Sequence, residues 1–597
     1  MSAKRPSKPA QLAWCLPVLL PALTVAAGIG LSLWVQTSIE SGVWLGRGSG
    51  INALVTQHIA QQIRAGRFPL DVALSLPAAD WVSALWQEGL YPFQANFASE
   101  VAAQPAARFP FVFPTVSASM YVLFERLFGG LFGGALSDRT LYIIPLLALW
   151  ATWLRFWQIG RRAGWGLVPL CLGLVGLIFG SSLSIYGSVL GPQTLAVALA
   201  FWGLSILIFP RSHQSGSFLH TERPKDAISR GQVLRSGILL GLSAWFGSEF
   251  ACLALVVGLL AIFGWRFPKW QIFPRLTLAK VCILLGAIAC TVGILLASNY
   301  AIYADPIIIR STGTAQRSGA PWLATSLLQY FPLAWVIGLT VILMPELKKP
   351  QVKVSPFKRK KPKASKGNYF RQLGIYQAST IDPVPSRFSL LVTLLFLVLV
   401  PFVASPAEGS LRWGQERYLV LVPLLSVLFA EQLRAGRLRR WARQAILVVA
   451  VIALVFGIHL NTLSAIFGEA ERSDTSESTV AVLEHSKATS RAIEAFGQEP
   501  IPWVALSHGS VAEQLWTALP GKTFFRAEAA AEVKRLATRL VGLGEREFLY
   551  VCSPFQDCQV PNTPGSDLSL EDGTHRLNMT FLGNYGQYPT YKVEIVP

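Results

Sequence analysis

Phe109 to Gly134 reads FPFVFPTVSASMYVLFERLFGGLFGG, and the place given to this stretch decides how the rest of the chain is threaded. It is apolar enough to cross a bilayer, but Glu125-Arg126 stands in its middle and glycine pairs close it. If it spans, the loop carrying Arg161 and Arg162 faces outward. If it lies in the interface on the outer side, those arginines fall on the cytoplasmic side, where lysine and arginine accumulate in membrane proteins. We therefore read 109–134 as an interfacial segment.

The surrounding chain demands such a choice. Its 597 residues are 52% hydrophobic and only 14% charged, and several uncharged runs are long enough to cross a bilayer. Apolar spans are read at 11–36, 139–158, 164–185, 189–210, 236–264, 276–299, 325–345, 388–405, 418–433 and 443–467. The segment 236–264 is too long for one span and holds Gly247-Ser248-Glu249 at its centre, so it is read as a pair of half-length helices. The fold class that follows is mostly α: a polytopic membrane helical bundle of about 11 transmembrane helices.

The start, MSAKRPSK, is weakly basic and leads into a span too long for a removed signal peptide, so it is read as the cytoplasmic start of an anchor. With this threading the cytoplasmic segments hold 30 lysines and arginines and the outer loops 8. The net charge of +19 is thereby explained without nucleic acid, and the run KKPQVKVSPFKRKKPKASK becomes a loop facing anionic headgroups. The expected location is the plasma (inner) membrane, multi-pass, with the N-terminus cytoplasmic.

Four regions result: 1–36, a tail and first helix; 37–138, a first extracytoplasmic loop; 139–467, the bundle; and 468–597, outside the membrane. The last turns polar and alternates in a β-α-β manner, through IPWVALS, a helix-like 510–519, KTFFRA, a helix-like 527–542 and EFLYVCS. A small C-terminal α/β extracytoplasmic domain is expected. Five of the seven cysteines lie in apolar spans, whereas Cys552 and Cys558 are spaced for a short disulfide in an oxidising compartment. PGKT at 520–523 lacks the upstream glycine of a nucleotide loop. Ser507-His508 in ALSHGS reads as a turn, and the scattered histidines form no metal-ligand pattern. No cofactor is expected, with a divalent cation left open.

Chemistry is therefore sought at the outer face. The loop 37–108 is far longer than a connector needs. It contains GVWLGRGSGINALVTQHIAQQIRAGRFPLD, with a helical stripe of Ile51, Leu54, Val55, Ile59 and Ile63. Further along, SPAEGSLRWGQERYLVLVPLLSVLFA brings Arg412 and Arg417 to the start of a span, with Trp413 and Tyr418 as interface aromatics. Arginines in that place suit a lipid phosphate. Arg310 and Arg317 line another outer loop, and Glu249 lies within an apolar pair where a charge needs a partner or a polar cavity.

In the order of its parts the chain resembles the GT-C superfamily of polytopic glycosyltransferases. The resemblance rests on a first span, a long outer loop with amphipathic helices, the segment from Phe113-Pro114 to Gly129, and a late span with Arg417, Tyr418 and Pro423. It covers roughly 40–470 at the level of pattern. It implies transfer of a sugar from a polyprenyl-phosphate donor to a glycan, lipid or protein acceptor, with membrane lipid as a partner. It also implies an outer-loop carboxylate as general base and arginines at the leaving phosphate. The family places its acid near the turn that is GRGSGIN here, which has none. The nearest acids are Glu40 and Asp71, with Asp80, Glu88 and Glu100 further on. Glu40 leads as the base, and Arg412, Arg417, Tyr418, Arg310 and Glu249 are the substrate-binding candidates. Two other classes stay open: a membrane transporter or lipid flippase, and a catalytically inactive GT-C-like scaffold.

Overall fold

The computed structural model describes residues 8–39, 49–67, 88–92, 97–101, 104–107, 112–132, 138–209, 228–268, 276–303, 384–403, 418–434, 440–459, 479–519, 521–554, 558, 560 and 576–596. Helix α1 spans Lys8–Ser38 and α2 Ser49–Arg64. A short antiparallel ladder, β1 (Phe97–Val101) with β2 (Gln104–Ala107), precedes α3, Val112–Phe132. The bundle continues with α4 (Ile143–Ala163), α5 (Leu167–Ile178), the single turn α6 (Leu183–Tyr186) and α7 (Gln193–Ile208). It is completed by α8 (Arg230–Ser243), α9 (Ser248–Arg266), α10 (Leu278–Tyr303), α11 (Val384–Val403), α12 (Leu421–Arg434) and α13 (Arg440–Ile458).

Local chemistry sets several of these boundaries. Helix α8 opens on a capping box in which Ser229 and Gln232 satisfy each other's backbone amides. Helix α4 closes where Gly164 takes φ 67°, letting Trp165 N–H reach back to Gly160 O. Helices α8 and α10 approach closely because a Cβ at Gly237 would stand 2.7 Å from Ala287 Cβ and 2.8 Å from Leu284 O. Helix α12 is buried from Leu421 to Leu433 and is the centre about which α5 and α11 pack.

Among the described residues, four helical stretches are long and apolar enough to cross a membrane: Val18–Ser38, Thr140–Ala163, Glu249–Arg266 and Leu278–Ala301. Five apolar helices are shorter. The half-length pair expected at 236–264 is corrected. Helix α8 starts at Arg230, six residues earlier, and α9 alone has 19 residues and reaches crossing length. The polar start of α8, with Arg230, Gln232 and Arg235, hid its first turns from a hydropathy reading. The span expected at 325–345 lies outside the described residues.

The C-terminal part contains α13's successor α14 (Thr479–Gln498), β3 (Trp503–Leu506), α15 (Gly509–Leu515), β4 (Thr523–Arg526), α16 (Ala530–Gly542), β5 (Glu547–Val551), β6 (Arg576–Tyr585) and β7 (Tyr588–Val596). The strand order is β4-β3-β5-β7-β6, the first three parallel and the last two added as an antiparallel hairpin. The α/β alternation expected from the sequence is present, and Cys552 and Cys558 form a disulfide. Val533, Leu536 and Leu540 of α16 cover one face of the sheet, while Phe496 of α14 and Leu515 of α15 cover the other.

This domain sits at one end of the bundle. Ile493 of α14 packs with Val35 and Ile39 at the end of α1, and α2 and α3 join the same hydrophobic cluster as α14 and α15. Most of the stretch 109–134 forms helix α3, Val112–Phe132. It lies along α2, and Glu125 accepts from Arg64 at 2.9 Å while Arg64 stands over the Tyr121 ring.

Candidate functional site

Helix α2 has two buried stripes, and they face in different directions. Ile51, Val55 and Ile59 recur at helical spacing and share a cluster with Val511, Ala512 and Leu515 of α15 and with Ala118 and Val122 of α3. Ser49, Asn52 and Thr56 form a second stripe, also buried, on the side that meets the bundle. There Asn52 Nδ2 donates to Leu190 O at 2.9 Å, and Ala53 joins the core of the bundle. The apolar stripe read in the first long loop is thus spent on the C-terminal domain and α3.

The bundle answers the polar stripe with a polar floor. Between α5 and α7 the chain leaves regular helix, apart from α6, with Ser181, Ser182 and Ser188 outside helix, Ser184 in α6 and Thr194 in the first turn of α7. Gln36 of α1 donates to Gly187 O at 3.4 Å, and Asn52 holds Leu190 O, so α1, α2 and this floor are tied together. A small cavity beside α1 is lined by Ser32, Val35, Ser184 and Ser188.

The hydroxyls of Thr56, Ser182, Ser188 and Thr194, with Ser117 of α3, are all buried to within 2% of full and meet no hydrogen-bond partner among the described residues. A buried hydroxyl left without a partner costs about 1–3 kcal/mol. Of the five, Ser188 also lines the small cavity beside α1. Sequence reasoning missed this shelf because single serines and threonines inside apolar runs carry no periodic signal. The spacing 49, 52, 56 on α2 was its one legible trace.

Glu249 reaches the same end of the bundle. The turn before α9 packs against α3 and α7, and the Glu249 carboxylate folds back over Gly247, 2.5 Å from where a Cβ would stand. A carboxylate in the first helical turn is favoured by the helix dipole. Tyr418 is buried in the bundle core just ahead of α12, so it packs inside the bundle, not as an exposed interface aromatic. Glu40, Asp71, Arg310, Arg412 and Arg417 lie outside the described residues, as do Asp80, Arg317 and Trp413. Ile39 and Ser49, which bracket the stretch with Glu40, are both buried at this end. Glu88 is committed to Arg539 on α16, and Glu100 lies in β1. Among the described residues no three His, Cys, Asp or Glu gather as metal ligands.

A second buried polar group lies in the opposite half of the bundle. Arg155 of α4 donates from Nε to Ser205 Oγ at 2.7 Å and stacks on the Trp202 ring at 4.7 Å. Trp165 Nε1 donates to Glu431 Oε1 at 2.6 Å. These groups hold one another.

No protein-family model matches the chain, and no curated protein matches it. Among solved structures it is similar to ArnT from Cupriavidus metallidurans bound to undecaprenyl phosphate, with a TM-score of 0.48 and 12% identity over 95% of this chain and 97% of that one. It is similar to ArnT in the apo state at a TM-score of 0.46 and 12% identity, over 95% and 97% of the two chains. It is also similar to the apo oligosaccharyltransferase of Archaeoglobus fulgidus, at 0.40 and 10%, over 89% of this chain and 69% of that one. These likenesses stand beside the GT-C resemblance of the sequence, and residue roles rest on the site itself.

Proposed function

We propose that this chain is an integral membrane glycosyltransferase that moves a sugar from a polyprenyl-phosphate donor to an acceptor hydroxyl on the extracytoplasmic face. The observation that carries the reading is the shelf of buried, unpartnered hydroxyls between α2 and the floor 181–194. Its hydroxyls suit a polyhydroxylated guest, and α2, which carries Thr56, belongs to the loop in which the sequence resemblance expects the reaction. The Cys552–Cys558 disulfide supports an oxidising compartment for the C-terminal domain, and hence for the shelf beneath it.

In this reading a carboxylate, Glu40 first, takes the proton of the acceptor hydroxyl. The acceptor oxygen attacks the anomeric carbon, and the bond from that carbon to the carrier phosphate breaks. The phosphate leaves with the electron pair and is neutralised by Arg417, with Arg412 and Arg310 as further cations. Asp71 is the second acid to test. Glu249 and Tyr418 belong to the bundle side of the site, Glu249 as a hydrogen-bond acceptor for sugar hydroxyls. A divalent cation, if bound, would be held by Glu40 or Asp71 and would supply positive charge for the leaving phosphate.

The test uses membranes containing the full chain and a labelled polyprenyl-phosphate sugar. Glu40→Gln is expected to abolish transfer at unchanged protein level, and Arg417→Ala to lower it by about 10²–10³-fold, as for one lost oxyanion donor. Full transfer in Glu40→Gln removes Glu40 from the mechanism. Absence of transfer by the unaltered chain from every polyprenyl-phosphate sugar sinks the reading.

A further inference from the structure

In open α/β sheets the carboxyl ends of the parallel strands are the usual place for a ligand, where the strand order reverses. Strands β4-β3-β5 have such an order, yet their carboxyl ends are occupied by protein. Between β3 and β5, Ser507 Oγ accepts from Ser553 N–H at 2.8 Å, beside the disulfide. Across the ends of β4 and β3 runs a strap from the first outer loop, Glu88-Gly89-Leu90-Tyr91-Pro92.

The strap is fitted residue by residue. Gly89 takes φ 79°, a left-handed turn that glycine makes without strain. Leu90 O accepts from Arg526 N–H at 2.8 Å, which continues the free edge of β4. Leu90 is fully buried with Phe525, Phe548 and Leu536 on one face of the sheet, whereas Tyr91 is buried with Phe524 and Leu549 on the other. Neighbouring residues thus enter two cores. Pro92 O lies 2.7 Å from the place of a Gly509 Cβ, so only glycine leaves room there. Glu88 closes the strap, with its carbonyl taking Arg535 at 2.9 Å and its carboxylate taking Arg539 Nε at 2.9 Å. The Glu88 hydrogen bond pushes the Arg539 guanidinium further up, and burial pushes the Tyr91 hydroxyl up to about 12.

We infer that the C-terminal domain is an intramolecular receptor for residues 88–92, and that this docking, with the α2 contact, holds α2 in place over the polar shelf. The sheet end that would serve a small ligand is used to grip a peptide of the same chain. The inference stands whether or not the shelf transfers sugar, because it concerns what fixes the shelf's roof.

Hydrogen exchange on the full chain in nanodiscs tests it. Leu90→Ser and Gly509→Val, one from each side of the contact, are expected to speed exchange of a peptide covering 523–527 by about tenfold or more, since local opening then exposes the Arg526 amide. Peptides from α2 should speed up by several-fold, while 547–551 in the sheet centre keeps its protection. Unchanged exchange at 523–527 in both variants overturns the strap contact. Loss of protection at 547–551 also overturns the proposal, because the strap is then part of the domain's own core and not a guest in a preformed receptor. Unchanged α2 overturns the coupling to the shelf.

Discussion

The two buried polar regions of the bundle are built from similar residues and treated in opposite ways. In the half away from the C-terminal domain, Arg155 meets Ser205 and Trp202, and Trp165 meets Glu431, so the charged groups are hydrogen-bonded or stacked by protein. At the domain end, Thr56, Ser182, Ser188, Thr194 and Ser117 keep hydroxyls that meet no partner among the described residues. Buried polar groups that satisfy each other specify packing, whereas buried polar groups left open await something else. The difference separates hydroxyls left open from charged groups held by protein, although Trp157 Nε1, two residues from Arg155, also meets no partner among the described residues.

Breaking the partnered region should cost the most stability. Trp165→Phe removes a donor from the Glu431 carboxylate and is expected to destabilise by about 1.5–3 kcal/mol, the worth of a hydrogen bond to a charged group. A thermal melt in detergent checks it, and the folded fraction should keep its transfer rate. Next comes Asn52→Asp, which sets a carboxylate against the Leu190 carbonyl and should cost about 1–3 kcal/mol at neutral pH. Asn52→Ser should cost less, and equal melts for the two would mean that the Asn52 hydrogen bond does not tie α2 to the floor.

Thr56→Val with Ser188→Ala probes the open region and should lower sugar transfer by about tenfold, equivalent to about 1.4 kcal/mol in the barrier. Unaltered transfer in that double variant would make the shelf a packing feature. Ser188→Ala alone should lose no stability and should gain toward the about 1–3 kcal/mol that its unpartnered buried hydroxyl costs. A loss as large as that of Trp165→Phe would erase the distinction between the two regions.

What the sequence disclosed and what it hid follow from the range of the forces involved. Hydropathy is local, so the membrane bundle and the parallel strands β3, β4 and β5 were legible from short windows. Helix α8 was misjudged by six residues because its opening turn is held by the Ser229 capping box, not by apolar side chains. The hairpin β6–β7 escaped because Arg576–Tyr585 alternates weakly and its turn depends on Gly586 at φ 62°. The stripe of Ile51, Val55 and Ile59 was visible, but its partner, α15, lies more than 400 residues away. Periodicity tells that a face is buried, not against what. The same holds for Glu88, whose role depends on Arg539 and could not be read from the first loop.

The distance between those two residues has a consequence in time. Glu88 and Arg539 are separated by 451 positions. At synthesis rates of roughly 5–20 residues per second, the first loop leaves the ribosome on the order of 20–90 s before its receptor exists. During that interval the apolar stripe of α2 has no α15 to rest on. Of α3 and α15, only α3 packs on that stripe in the meantime, so chains that terminate before about residue 500 should be cleared by quality control.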